Sequence, residues 1–245
     1  MIVRAFEDQL LLITQSDHAA LAAQIIAAWR RDGLPTAPRR ESVLLATRDH
    51  DNGWEAEDRA PSIAPATGKI LDFIDISPEV KRRVWPRAID RLRHDPYAAA
   101  LVAEHAITVY DRYRLDPSWL DWFGYMEAAG ASALDLAAPL TRDDVRRDYP
   151  FVRLGDLASL TFCNRWTADQ QFGDYQMSLE TDTRLIIDPD PFDGATLPLT
   201  IAGRHVSAKP FTSTDEASAA YAAAPMLTLH GTAVGASRRV SPSQP

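Results

Sequence analysis

Near residue 170 the hydrophobic period of this chain changes, and that change limits the available folds more than any other feature. Before it, apolar residues recur every three or four positions, the repeat of helices buried on one face. Beyond about Asp174 they alternate or form short runs separated by Pro and Gly, the texture of strands. A mainly α fold is therefore expected. It comprises a helical domain over residues 1–170 that opens with a small hairpin, a small β-rich unit over 171–235 packed on it, and a disordered tail over 236–245.

The local signals fill in this outline. Ile2-Val3-Arg4 and Leu10 to Thr14 flank the polar Glu7-Asp8-Gln9 and read as the hairpin. Ser16 or Asp17 can cap a helix on which His18, Leu21, Ala22, Ile25 and Trp29 share one face, ended by Gly33 and Pro35. A second helix over Glu41 to Asp51 delivers His50 and Asp51 at its C-terminal end, before Gly53. The proline-punctuated segment from Asp58 to Ser77 is too long for a simple connector and reads as a substrate-facing excursion. Asp95-Pro96 and Asp116-Pro117 each start a helix, and His105 faces inward on the first of these. Thr141 with Asp144 forms a capping box for a short helical stretch, and a further apolar helix after Pro150 embeds Asp156 and runs to Cys163. Glu216 to Ala224 reads as a short helix between strands.

Charge and cysteine content exclude several classes. With 26 Lys plus Arg against 34 Asp plus Glu, the net charge of −8 argues against a duplex nucleic-acid partner, which would call for surplus cations. The lone Cys163 forms no intramolecular disulfide and fits a reducing compartment as a buried thiol. Leu10 to Ile13 is far shorter than a signal-peptide core, and no stretch reaches the roughly 20 apolar residues of a membrane helix. A cytoplasmic protein with no membrane partner is expected.

His18, His50, Asp51 and Asp156 lie in or beside otherwise apolar helices, where burial without partners costs several kcal/mol. Convergence of imidazole and carboxylate groups on one cation removes that cost. Such a mixed set suits Fe, Mn, Zn or Ni better than Ca, with one or two divalent ions. Trp54, following Gly53, is expected to pack and to form a pocket wall, while Arg59 and Lys69 are the cations available to a substrate phosphate. Trp119, Trp122, Phe123 and Tyr125 read as a core aromatic cluster. No glycine-rich phosphate loop or serine-nucleophile motif is present.

The order His18, His50-Asp51, Asp156 on helices resembles the H…HD…D signature of the HD superfamily of metal-dependent phosphohydrolases. The segments MIVR, LLLITQSDHAALA, HDNGW, LDFID, DPYAAALVAEH, LGDLASLTFC and IIDPDPF resemble, more specifically, the bacterial DUF3891 proteins, an uncharacterised family. The resemblance implies an HD-like helical domain in which His18, His50, Asp51 and Asp156 hold a metal whose water attacks phosphorus. Dinuclear HD enzymes add two histidines between the HD pair and the last Asp. Here His105 is the extra ligand, since His94 precedes the helix start. The expected function is hydrolysis of a phosphate ester, a small-molecule substrate, with Asp51 orienting the water. The alternatives are a dinuclear-iron oxygenase on an HD-like fold and a non-enzymatic, metal-stabilised binding or interaction module.

Overall fold

The computed structural model describes residues 1–31 and 33–236. Two strands, β1 (Ile2–Phe6) and β2 (Gln9–Ile13), open the chain, and five more lie beyond residue 169: β3 (Gln170–Phe172), β4 (Tyr175–Thr181), β5 (Arg184–Asp188), β6 (Thr196–Ser207) and, after one further helix, β7 (Met226–Gly235). They form one seven-stranded sheet in the order β1-β2-β6-β7-β5-β4-β3, antiparallel except for the parallel β5–β7 pair. This corrects the expected class of an HD-like, mainly α domain with a small hairpin and a separate small β unit. The N-terminal hairpin is part of the same sheet as the C-terminal strands, with Gln9 opposite Ser207 and Leu12 opposite Arg204. Alternation explains why β2 can serve there: Leu11 and Ile13 point to the main core, and Leu12 joins a smaller apolar cluster with Met1, Ile70, Val206 and Phe211.

The helices are α1 (Gln15–Ala27), α2 (Arg39–Asp49), α3 (Glu55–Arg59), α4 (Pro78–Arg91), α5 (Pro96–Val109), α6 (Leu120–Leu136), α7 (Arg142–Asn164) and α8 (Thr214–Ala223). α1 and α7 pack on each other and on the sheet, α2 and α5 pack on them, and α4 and α6 pack on α5. Thr14, rather than Ser16 or Asp17, caps α1, its hydroxyl accepting from the Asp17 N–H. The expected short helix after Thr141 and the helix after Pro150 are one 23-residue helix with Pro150 inside it. Pro150 removes one backbone hydrogen bond, which burial of Phe151, Val152, Leu154 and Leu157 offsets. In the aromatic cluster Trp119, Trp122 and Phe123 are buried, whereas Tyr125 lies on the exposed side of α6, a correction to its core reading. Of the expected tail, residues 237–245 lie outside the described residues. Among the described residues no helix is long and apolar enough to cross a membrane.

Candidate metal centre

α1 carries His18 in its second turn, α2 ends one residue before His50, and Asp51 follows in the turn that leads to a 3-10 segment over Asn52–Trp54. α5 contributes His105 and α7 contributes Asp156. All five side chains are buried and converge. Their approach depends on Gly155, where an added Cβ would lie 2.8 Å from Ile26 Cγ1 and 2.9 Å from Thr47 Cγ2. A glycine here lets α7 settle close to α1 and α2, so that the adjacent Asp156 reaches the histidines.

The hydrogen-bond partners settle which ring nitrogens are free. Ser159 Oγ donates its one proton to the His18 carbonyl at 2.6 Å and so accepts from His18 Nδ1–H at 3.2 Å. His18 Nε2 therefore faces Asp51 Oδ2 at 2.9 Å, and two acceptors at that distance require a proton or a cation between them. His50 Nδ1–H donates to the Thr47 carbonyl at 2.8 Å, leaving Nε2 as a buried atom without a hydrogen-bond partner, 3.4 Å from Asp51 Oδ2 and 3.6 Å from Asp156 Oδ1. His18 Nε2 is 3.9 Å from the same Asp156 oxygen. Ligands about 2.0–2.2 Å from one ion stand about 3–3.5 Å from each other; the separations of Asp51 Oδ2 from the two histidines match such edges, and those to Asp156 Oδ1 are a few tenths of an ångström longer. The buried His/Asp group can hold a metal ion. A second trio, His50, His105 and Asp156, also lies within metal-sharing distance. It depends on the same His50 Nε2, whose single lone pair serves one ion.

The charges agree with this arrangement. Burial opposes ionisation of Asp51 and Asp156, but the surrounding histidines, together with Arg153 at Asp156, hold both carboxyls well below the usual carboxylate range. Arg153 lies 2.5 Å from Asp156 Oδ2, so once His50 gives up its proton to serve as a ligand, two carboxylates against one guanidinium leave an excess negative charge for a cation. Burial keeps His105 neutral, its pKa lowered to about 3 despite Asp156 nearby. Burial would also depress His50, yet Asp51 and Asp156 raise it to about 10. Its imidazolium thus stabilises the metal-free fold fully below the unfolded value of 6.5, and that contribution is lost as pH rises through about 10. The thermal midpoint of chelated protein is expected to fall from about pH 7 to about pH 10, more steeply than that of His50→Gln. Equal slopes in the two proteins would show that His50 is not held in this way.

A cavity of about 290 Å³ opens onto Asp51, His105 and Asp156. Trp54 forms part of its wall. Arg59 and Lys69 do not line it: Arg59 is exposed and paired with Glu55 at 2.9 Å, and Lys69 is exposed in the loop before Ile70. The long loop instead contributes Phe73 and Ile74. The cations at the cavity are Lys81, Arg112 and Arg153, which the sequence reading did not single out. His94 is exposed in the turn before α5, away from the centre. Cys163 is a buried thiol, which burial pushes up to about 12 and so keeps protonated.

A family model described as a protein of unknown function, DUF3891, matches residues 1–208, which include every member of the His/Asp group. The chain belongs to the DUF3891 family. The DUF3891 match ends one residue beyond β6, so α8 and β7 lie outside it. No curated protein and no solved structure matches this DUF3891 chain.

Proposed function

We propose that this DUF3891 chain is a cytoplasmic, divalent-metal-dependent hydrolase of small phosphate esters. The observation that carries the reading is the meeting of His18 Nε2, His50 Nε2, Asp51 and Asp156, with the Nδ1 hydrogen of each of these two rings already committed elsewhere. An ion held by these four residues would act as a Lewis acid toward a phosphoryl oxygen and lower the pKa of a coordinated water. Imidazole and carboxylate ligands favour Fe, Mn, Zn or Ni over Ca.

The chain's own groups divide the remaining work. Ser159 and Thr47 hold the two rings so that their Nε2 atoms face inward, the supporting role that second partners of ligating histidines play. Asp51, which lines the cavity and is not engaged by an arginine as Asp156 is, would orient a water. Arg153 offsets the charge of Asp156, and Trp54, Trp85 and Leu157 give the cavity an apolar wall that limits bulk water. Lys81, Arg112 and Arg153 at the same cavity favour an anionic substrate over a neutral one.

Protein purified without chelator is expected to retain about one equivalent of a transition metal per chain. It should hydrolyse members of a phosphate-ester panel, lose that turnover to a chelator and regain it on metal addition. A folded chain that takes up no divalent ion overturns the reading.

A further inference from the structure

The cavity has two chemically different ends. Its floor is the His/Asp centre, and from His105 a succession of rings leads outward: Trp85 at 5.6 Å between centroids, Tyr110 at 5.9 Å from Trp85, and Tyr113 at 6.0 Å from Tyr110. At the far end the Arg112 guanidinium lies over Tyr113, 4.8 Å from the ring centroid. Lys81 also lines this cavity and is buried. Its ammonium donates to the Ile74 carbonyl at 2.5 Å, which leaves further N–H groups. Among the described residues neither Lys81 nor Arg112 has a carboxylate within 4.0 Å, in contrast to Arg153, which is spent on Asp156. Burial lowers the Lys81 pKa and Arg112 lowers it further, against the opposing influence of Tyr113 and, beyond ion-pair distance, of Asp75 and Asp72. Two cations that repel each other and lack close carboxylate partners, at the end of a small cavity in an acidic protein, have the character of an unfilled anion site.

We propose that Lys81 and Arg112 form an anion-binding subsite at the outer end of the cavity, selecting compact substrates that carry a second anionic group, carboxylate or phosphoryl, distal to the ester cleaved. The inference rests on reading the cavity as the active site. Trp85 and Tyr110, the rings of that succession that line the cavity beyond His105, set the spacer: a short or single-ring body fits about 290 Å³, whereas a long or branched one does not. Arg112, stacked on Tyr113, can meet either anion with paired N–H donors, and Lys81 supplies a compact charge.

The subsite is tested without the metal. Inorganic phosphate and, separately, malonate are titrated into the chelated full-length chain, with tryptophan fluorescence as the readout, because Trp54, Trp85 and Trp166 line the cavity. Saturable binding of either anion is expected, weakened about tenfold or more in Arg112→Gln and in Lys81→Met. Arg112 is exposed, so Arg112→Gln tests the subsite even where loss of Lys81 disturbs folding. Phosphate binding alone identifies a phosphoryl group as the distal anion, malonate binding alone a carboxylate. Metal content is measured on the same variants and is expected to equal that of the wild type. Anion binding that is absent from chelated wild type, or unchanged in both variants, overturns the subsite while leaving the metal centre standing. Failure of the wild type to take up metal overturns the hydrolase reading independently.

Discussion

Asp51→Asn is expected to give a folded protein that has lost its divalent ion and, with it, at least about a hundredfold in turnover on phosphate esters. The substitution keeps the shape of the side chain but replaces an anionic oxygen with a neutral amide. In the Asp51 position the new NH2 would sit where Oδ2 is now, 2.9 Å from His18 Nε2. It could donate to that lone pair, satisfying the buried nitrogen while blocking its use as a ligand. Metal analysis and thermal unfolding separate the two effects. Retained metal and retained turnover in Asp51→Asn would remove the role assigned to this carboxylate.

Gly53→Ala is expected to be the most damaging single-methyl change near the centre. An added Cβ would stand 1.9 Å from the Val84 carbonyl oxygen and 2.9 Å from its carbon, atoms of the α4 backbone that cannot rotate away. Relief requires α4 to shift from the turn that holds His50 and Asp51, at a cost of about 3 kcal/mol or more. Gly124 provides the contrast. It lies in the second turn of α6 with open space where a Cβ would stand, and Gly124→Ala should stabilise the chain by about 0.5–1 kcal/mol. Urea midpoints measure both changes, and a Gly53→Ala protein as stable as the wild type would contradict the packing described for α4.

The residues at the centre were legible in the sequence because polar groups on apolar helical faces need partners, and that need shows in one dimension. His18, His50, Asp51, His105 and Asp156 stand out in this way, and the structure brings them together. The cavity cations were not legible for a physical reason. Lys81 lies on α4, a helix that carries prolines at 78 and 86 and a dense run of basic residues, features that hide helical periodicity. Arg112 sits in the short 3-10 turn Asp111–Tyr113, where no repeat exists to read. Arg59 and Lys69 were plausible by charge, but Arg59 ends α3 and turns back to Glu55, while the position of Lys69 depends on how the loop folds over Ile70, which a sequence pattern does not encode. The hairpin was recognised as a hairpin. Its neighbour was not, because alternation in β2 states that a strand has two faces and says nothing of which distant strand lies beside it.

The position of β7 in the sheet gives assembly a direction in time. β1, β2 and β6 make one ladder, β3, β4 and β5 make another, and the last described strand lies between them, paired with β6 on one side and β5 on the other. As the chain leaves the ribosome, the hairpin that precedes His18 has no strand to join until residues near Ser207 are made, and the two ladders stay unlinked until Met226–Gly235 follows. Such long-range closure is slow, and the facing edges of β6 and β5 are open to pairing with other chains in the interval. Chains released before this strand is made would therefore carry all five centre residues and still present two bare sheet edges, so aggregation should be the first consequence of truncating the C-terminus.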